Sequence, residues 1–213
     1  MSATNESVIA EKLLQVGAVK LNVENPFTWA SGWKSPIYCD NRKILSFPFI
    51  RDFIKSEMSN VIYEQFPNTE IIAGVATAGI PWGALAADQL KLPFIYVRGK
   101  AKEHGLGNQI EGDFEPGKKV VVIEDLISTG KSSIEVVKVL KQHDLQVDAI
   151  VSIFNYGYEV SKNLFEQENI GFKSLTNYDS LIKLALEKGI LPAEAEPSLI
   201  EWRMNPADWG KNN

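Results

Sequence analysis

The chain has 213 residues and little with which to build metal or disulfide chemistry. Its one cysteine, Cys39, excludes an internal disulfide framework and suggests a reducing compartment. Its two histidines, His104 and His143, lie far apart, which argues against a structural zinc site. Basic excess is also missing. With 22 Lys+Arg against 27 Asp+Glu, the net charge of −5 argues against non-specific binding to nucleic acid or to an acidic membrane. A small local patch for an anionic ligand stays compatible with it. The opening "MSATNESVIAEKLL" has no basic region followed by an apolar one, so no export signal is expected, and the sequon Asn5-Glu6-Ser7 reads as chance. The longest run without charge, residues 71–87, falls short of the roughly 20 apolar residues of a membrane span. It also holds Thr77, Pro81 and three glycines, which fit a strand, a turn and a helix.

What is present is ordinary globular material: 45% apolar and 23% charged residues, enough for one domain with a sizeable core. Apolar spacing predicts a first helix over 6–16, ended by Gly17, and a second over 46–65 with Pro48 in its first turn. Between them, "NPFTWASGWKSPIYCDNR" reads as short extended segments about a turn at Ser31-Gly32. Core packing is the expectation for its aromatics Phe27, Trp29, Trp33 and Tyr38. Strands are predicted over 70–75, 94–97, 118–123, 148–154 and 172–175, and helices over 80–90, 132–142, 159–168 and 179–188. Such alternation implies an α/β fold, a central parallel sheet flanked by helices. Ligands of these sheets sit at the carboxyl ends of the strands. The alternation is interrupted once, by residues 98–117, "RGKAKEHGLGNQIEGDFEPG", a structureless loop of a length that is usually functional or disordered.

Residues 120–133, "VVVIEDLISTGKSS", end like an ATP-binding P-loop. Position 125, where that motif needs its first glycine, is Asp125, so a P-loop is excluded. A different ligand uses every part. The apolar strand ends in two carboxylates, Glu124 and Asp125, suited to vicinal hydroxyls of a ribose, directly or through Mg²⁺. Leu126, Ile127, Ser128, Thr129 and Gly130 form a turn into a helix starting near Ser132, whose N-terminal backbone donors suit one phosphate. The segment resembles the phosphoribosyl diphosphate (PRPP) motif of type I phosphoribosyltransferases. The resemblance implies that Glu124 and Asp125 contact the ribose hydroxyls and that residues 126–132, Lys131 included, bind the 5-phosphate.

In the long loop Arg98, Lys100, Lys102 and His104 alternate, so an extended chain projects them to one side. Cations on a lid stabilise a departing diphosphate, and closure excludes water. "RGKAKEHGLGNQIEG" is similar to the catalytic loop of the orotate phosphoribosyltransferase family. That likeness places Arg98, Lys102 and His104 on diphosphate-contacting positions, with Lys100 a substitute for the family lysine missing at Gly99. Lys102 and Asp125 are the catalytic assignments. "FTWASGWKSPIYCD" resembles the family's hood over the base. Ser128 and Lys34 are the orotate-binding candidates it implies, Lys34 as a cation in place of the family lysine absent at Ala30. "VATAGIPWG" corresponds to the diphosphate loop, where Thr77 and backbone donors replace a Tyr-Lys pair. No arginine for the orotate carboxylate is found near "FNYGYE".

The resemblance therefore implies a type I phosphoribosyltransferase fold with three parts. Residues 1–45 form a helix and base-binding hood, 46–190 the core with its catalytic loop at 98–117, and 191–213 a tail packed on or near the core. It implies transfer of phosphoribosyl from PRPP to orotate in the cytoplasm, with Mg²⁺ carried mainly by PRPP and touched by Asp125. A homodimer with the loop contributed in trans follows from the same likeness, with no nucleic-acid or membrane partner. A phosphoribosyltransferase for another base, or a PRPP- or nucleotide-sensing regulator, are the alternatives.

Overall fold

The computed structural model describes residues 5–29, 31–99 and 109–210. Lys100, Lys102 and His104 of the predicted lid, and Ala30 of the hood, lie outside the described residues. Helix α1 (Asn5–Gln15) buries Ile9, Ala10 and Leu13 as one stripe. Two short antiparallel pairs follow. Strand β1 (Val19–Leu21) pairs with β4 (Ile37–Cys39), and β2 (Phe27–Thr28) with β3 (Lys34–Ser35), around the expected turn. Asp40 then caps a 3-10 turn, Asn41–Ser46, by accepting from the Arg42 backbone N–H. Helix α2 (Pro48–Gln65) starts with its proline in the first turn, as the sequence implies.

The rest is β5 (Ile71–Val75), α3 (Gly79–Leu90), β6 (Phe94–Val97), β7 (Ile110–Glu111), β8 (Lys119–Ile127), α4 (Lys131–Gln142), β9 (Gln146–Asn155), α5 (Glu159–Gln167), β10 (Gly171–Asn177), α6 (Tyr178–Glu187) and α7 (Glu196–Met204). Six strands form the main sheet in the order β10-β9-β8-β5-β6-β7, all parallel except the β6–β7 edge pair. Strand residues alternate between two cores. Ile72, Val121, Ile123, Val151 and Ile153 face α1, α2, α3, α6 and α7. Ile71, Ala73, Val75, Val120, Val122 and Ile150 face α4 and α5. The two-faced burial explains why β5 is apolar at all five positions.

Strand order reverses between β5 and β8. From β5 the chain moves outward to β6 on one side, and later to β8, β9 and β10 on the other. The loops leaving these two strands diverge there and open a crevice, which is the expected ligand position in such a sheet.

Three expectations need correction. The apolar strand does not end before the acidic pair. β8 runs to Ile127, because β9 keeps pairing with it through Glu124↔Ser152, Leu126↔Phe154 and Ile127↔Asn155. The stretch 98–117 is not structureless throughout, since Ile110–Glu111 adds to the sheet edge antiparallel to Tyr96 and Val97. Beyond residue 188, where no element was expected, α7 forms and buries Leu199 and Trp202 against the core.

Candidate active site

Glu124 and Asp125 lie in the last turn-ward residues of β8, at the crevice. The Glu124 side chain is buried, and its Oε1 accepts the Asp125 backbone N–H at 3.0 Å. Burial pushes the Glu124 carboxyl well above its ordinary range, and the neighbouring Asp125 charge adds to that push. Burial raises Asp125 as well, against the opposing pull of hydrogen bonding and of the Arg42 charge. A buried carboxylate with a half-buried one beside it is costly unless hydroxyl donors or a cation meet the pair. Carboxylate oxygens are the donor type a hard divalent ion takes, and among the described residues no group of three or more His, Cys, Asp or Glu could hold a metal ion by itself.

The backbone around the pair is set by close contacts. A Cβ on Gly79, the first residue of α3, would lie 2.4 Å from the Ile123 carbonyl oxygen and 3.4 Å from the Glu124 Cα. Only glycine lets α3 approach the strand so closely. The turn after β8 closes at Gly130, which has φ +77° and caps α4. A Cβ there would meet the Phe165 ring at 2.8 Å. Ser128 and Thr129 are half-buried, and Lys131 and Ser132 are exposed at the start of α4, with Lys131 directed to the surface of the helix end. Across the crevice, Thr77 is exposed in the loop between β5 and α3, beside a cis Ala76–Thr77 peptide.

Cavities flank the β8–α4 turn, and two of them hold residues singled out in the sequence. The first, of about 400 Å³, is lined by Thr28, Trp29, Tyr38, Cys39, Leu126, Ser128 and Tyr156. It joins the short N-terminal strands to the end of β8 and to the residue after β9. Trp29 lines the cavity while packing against the core as expected, whereas for Tyr38 the expectation of core packing is corrected. Tyr38 is 41% exposed. Burial raises the Tyr156 phenol and the Cys39 thiol well above their ordinary ranges, so both stay neutral donors there. The second cavity, of about 440 Å³, brings Ser132 and Arg98 together with Ala76 and Gln109. Arg98 reaches Glu111 at 3.5 Å, along the sheet edge.

Lys34 is not among the residues lining the first cavity. It lines a separate one with Glu24, Glu201 and Trp209, yet its Nζ donates to Thr28 Oγ1 at 3.0 Å, and Thr28 belongs to the first cavity's wall. The cation thus sits one hydroxyl away from the residues grouped with Ser128.

Asn41 escaped the sequence reading. It is fully buried, and its Nδ2 donates to the Asp125 carbonyl at 2.7 Å, tying the N-terminal strands to the acidic pair. Next to it, Arg42 hydrogen-bonds Asp40 at 2.6 Å, which holds the Asp40 carboxyl below its ordinary range. The only signal in the sequence was an Asn directly after a capping Asp, and the cap explains the Asp alone. Trp202 escaped too, since nothing in "EWRMNPADWG" marks a residue that packs on the hood.

Comparison with known proteins adds to this geometry. A phosphoribosyl transferase domain model matches residues 50–178. An orotate phosphoribosyltransferase of Phocaeicola vulgatus is 50% identical over 206 residues, covering 97% of each chain. One of Listeria innocua is 52% identical over 206 residues, covering 97% of this chain and 99% of its own. Among solved structures, the orotate phosphoribosyltransferase of Aeropyrum pernix superposes with a TM-score of 0.74 at 28% identity, over 86% of this chain and 99% of that one.

Proposed function

The chain belongs to the orotate phosphoribosyltransferase family, and from that premise we propose that it transfers the 5-phosphoribosyl group of PRPP to orotate, releasing diphosphate and forming orotidine 5'-monophosphate for UMP biosynthesis. The observation that carries this reading is the acidic pair of buried Glu124 and half-buried Asp125 at the reversal of strand order, beside a cavity walled by aromatic rings.

Glu124 and Asp125 take the ribose hydroxyls, and the backbone and hydroxyls of residues 126–132 take the 5-phosphate. Thr77 and Arg98 approach the diphosphate from the far side of the crevice. Orotate lies against Trp29, Tyr38 and Tyr156 with Ser128 at its edge, and Lys34, through Thr28, supplies the nearest positive charge. Asp125 would contact the Mg²⁺ that PRPP carries, and that ion would supply positive charge to offset the diphosphate. The anomeric bond to diphosphate breaks as the orotate nitrogen closes on the same carbon, and positive charge spreads over the ribose ring. Lys102 meets the leaving charge, with Lys100 and His104 on the same loop. No general base is assigned, because the orotate nitrogen is itself nucleophilic.

A spectrophotometric assay with PRPP, Mg²⁺ and a panel of bases tests the substrate: orotate is consumed, whereas turnover of purines or uracil alone would refute the base assignment. We further propose a cytoplasmic homodimer with the loop of residues 98–117 acting in the neighbouring subunit. No helix among the described residues is long and apolar enough to cross a membrane. Lys102→Ala and Asp125→Asn protomers, each nearly inactive, should recover activity when mixed and allowed to exchange; no recovery counts against the shared site.

A further inference from the structure

The first cavity has walls that local structure alone does not hold. Trp29 follows a strand pair only two residues long, and Tyr38 and Cys39 sit on a pair of three. Two-stranded pairs this short are marginal in water, so their geometry has to come from packing. The packing partner is Trp202 of α7, fully buried although it does not line the cavity. Its ring lies edge-on to Trp29 at 5.7 Å and to Tyr156 at 5.8 Å between centroids, and those two rings touch each other at 5.3 Å, so the three form one aromatic cluster behind the cavity. Its Nε1 donates to the Lys34 carbonyl at 3.2 Å, fixing β3. Trp29 in turn donates its Nε1 to the Ile37 carbonyl at 3.1 Å, fixing β4. Tyr158 and Tyr178 close the cage at 5.9 and 5.3 Å, and the Tyr178 hydroxyl donates to the Leu199 carbonyl at 3.0 Å, which holds α7 in place.

We propose that Trp202 is a positioning residue for the base subsite: it fixes the orientation of the touching Trp29 and Tyr156 rings, and with it the aromatic wall against which a planar ring lies. The proposal rests on the substrate reading above for its kinetic consequence, and on the cavity geometry alone for its structural one.

Trp202→Phe keeps a buried ring and removes the indole donor and part of the reach. Two readouts follow. The KM for orotate rises about tenfold, as expected when a ligand is held out of line, while the KM for PRPP stays within about twofold. In ligand-free protein, labelling of the lone, half-buried Cys39 by a thiol reagent speeds up several-fold. Leu140→Ala is the comparison. It opens a hole in the other core, at the far end of α4, and lowers thermal stability without moving either readout. An unchanged labelling rate, or equal shifts in both Michaelis constants, overturns the proposal. Failure of the unmodified protein to use orotate would refute the substrate reading instead, and the labelling comparison would still decide the role of Trp202. Should Trp202→Phe not fold, Trp202→Tyr carries the same comparison.

Discussion

The acidic strand end and the aromatic cavity beside it are built in opposite ways. Residues 124–132 are one continuous piece of chain, shaped by sheet pairing, by a glycine in the left-handed region and by the start of a helix. The cavity draws on the hood, on the end of β8 and on the residue after β9, with Trp202 behind them. Charge and backbone donors can be delivered by one strand and one turn, because the sheet already fixes the backbone. An aromatic wall for a flat ring needs several large side chains in contact, and these come from segments far apart. Substitutions in the first region should therefore act through backbone contact and charge, and those in the second through packing and affinity.

The strongest challenge to that distinction is Gly79→Ala. The added methyl has no flexible neighbour to displace, since it meets the Ile123 carbonyl oxygen itself. A loss of about 3 kcal/mol is expected, the upper part of the overpacking range, seen as a drop of about 10 °C in thermal melts. Activity falls with it, as Glu124 is pushed aside. An unchanged melting temperature would mean that the acidic strand is not held by backbone contact.

A smaller effect, of opposite sign for stability, is expected from Glu124→Gln. Its folded-state pKa is raised, so between its unfolded and folded values the native protein holds a proton that the unfolded chain has released. Stability therefore decreases as pH rises through that window and increases as pH falls back through it. Asp125, also raised, acts in the same direction. The variant should melt higher at neutral pH, with a shallower pH slope, and turn over more slowly. A slope matching the parent's would show that Glu124 is not the group holding the proton. The smallest effect belongs to Lys131→Ala. This side chain is exposed at a helix end, so stability should change by about 0.5 kcal/mol or less and the KM for PRPP hardly at all. A large rise in that constant would make the turn a side-chain site and blur the distinction.

The same division governs what could be read in advance. The α/β alternation followed from apolar runs that are buried on both faces, and the P-loop was excluded by Asp125 alone. The strand was placed four residues short, because Glu124 and Asp125 look like its end when only hydrophobicity is considered, whereas pairing with β9 carries it on to Ile127. Ser128 stood out through its place in a contiguous motif. Asn41 and Trp202 did not, since a buried asparagine and a tail tryptophan have meaning only once the residues 84 and 168 positions away are beside them. Lys34 was singled out for its charge, and its offset from the cavity depends on the path of β3, which no pattern encodes.

The Trp202–Lys34 hydrogen bond also orders events in time. Proteins are made from the N-terminus, and the strand, turn and helix of residues 119–142 are synthesised well before α7. A nascent chain can thus form the β8–α4 turn early, while the aromatic wall beside it waits for a tryptophan made 168 residues after its partner. A chain arrested between α6 and α7 would lack the ring on which Trp29 and Tyr156 pack and the indole donor that fixes β3.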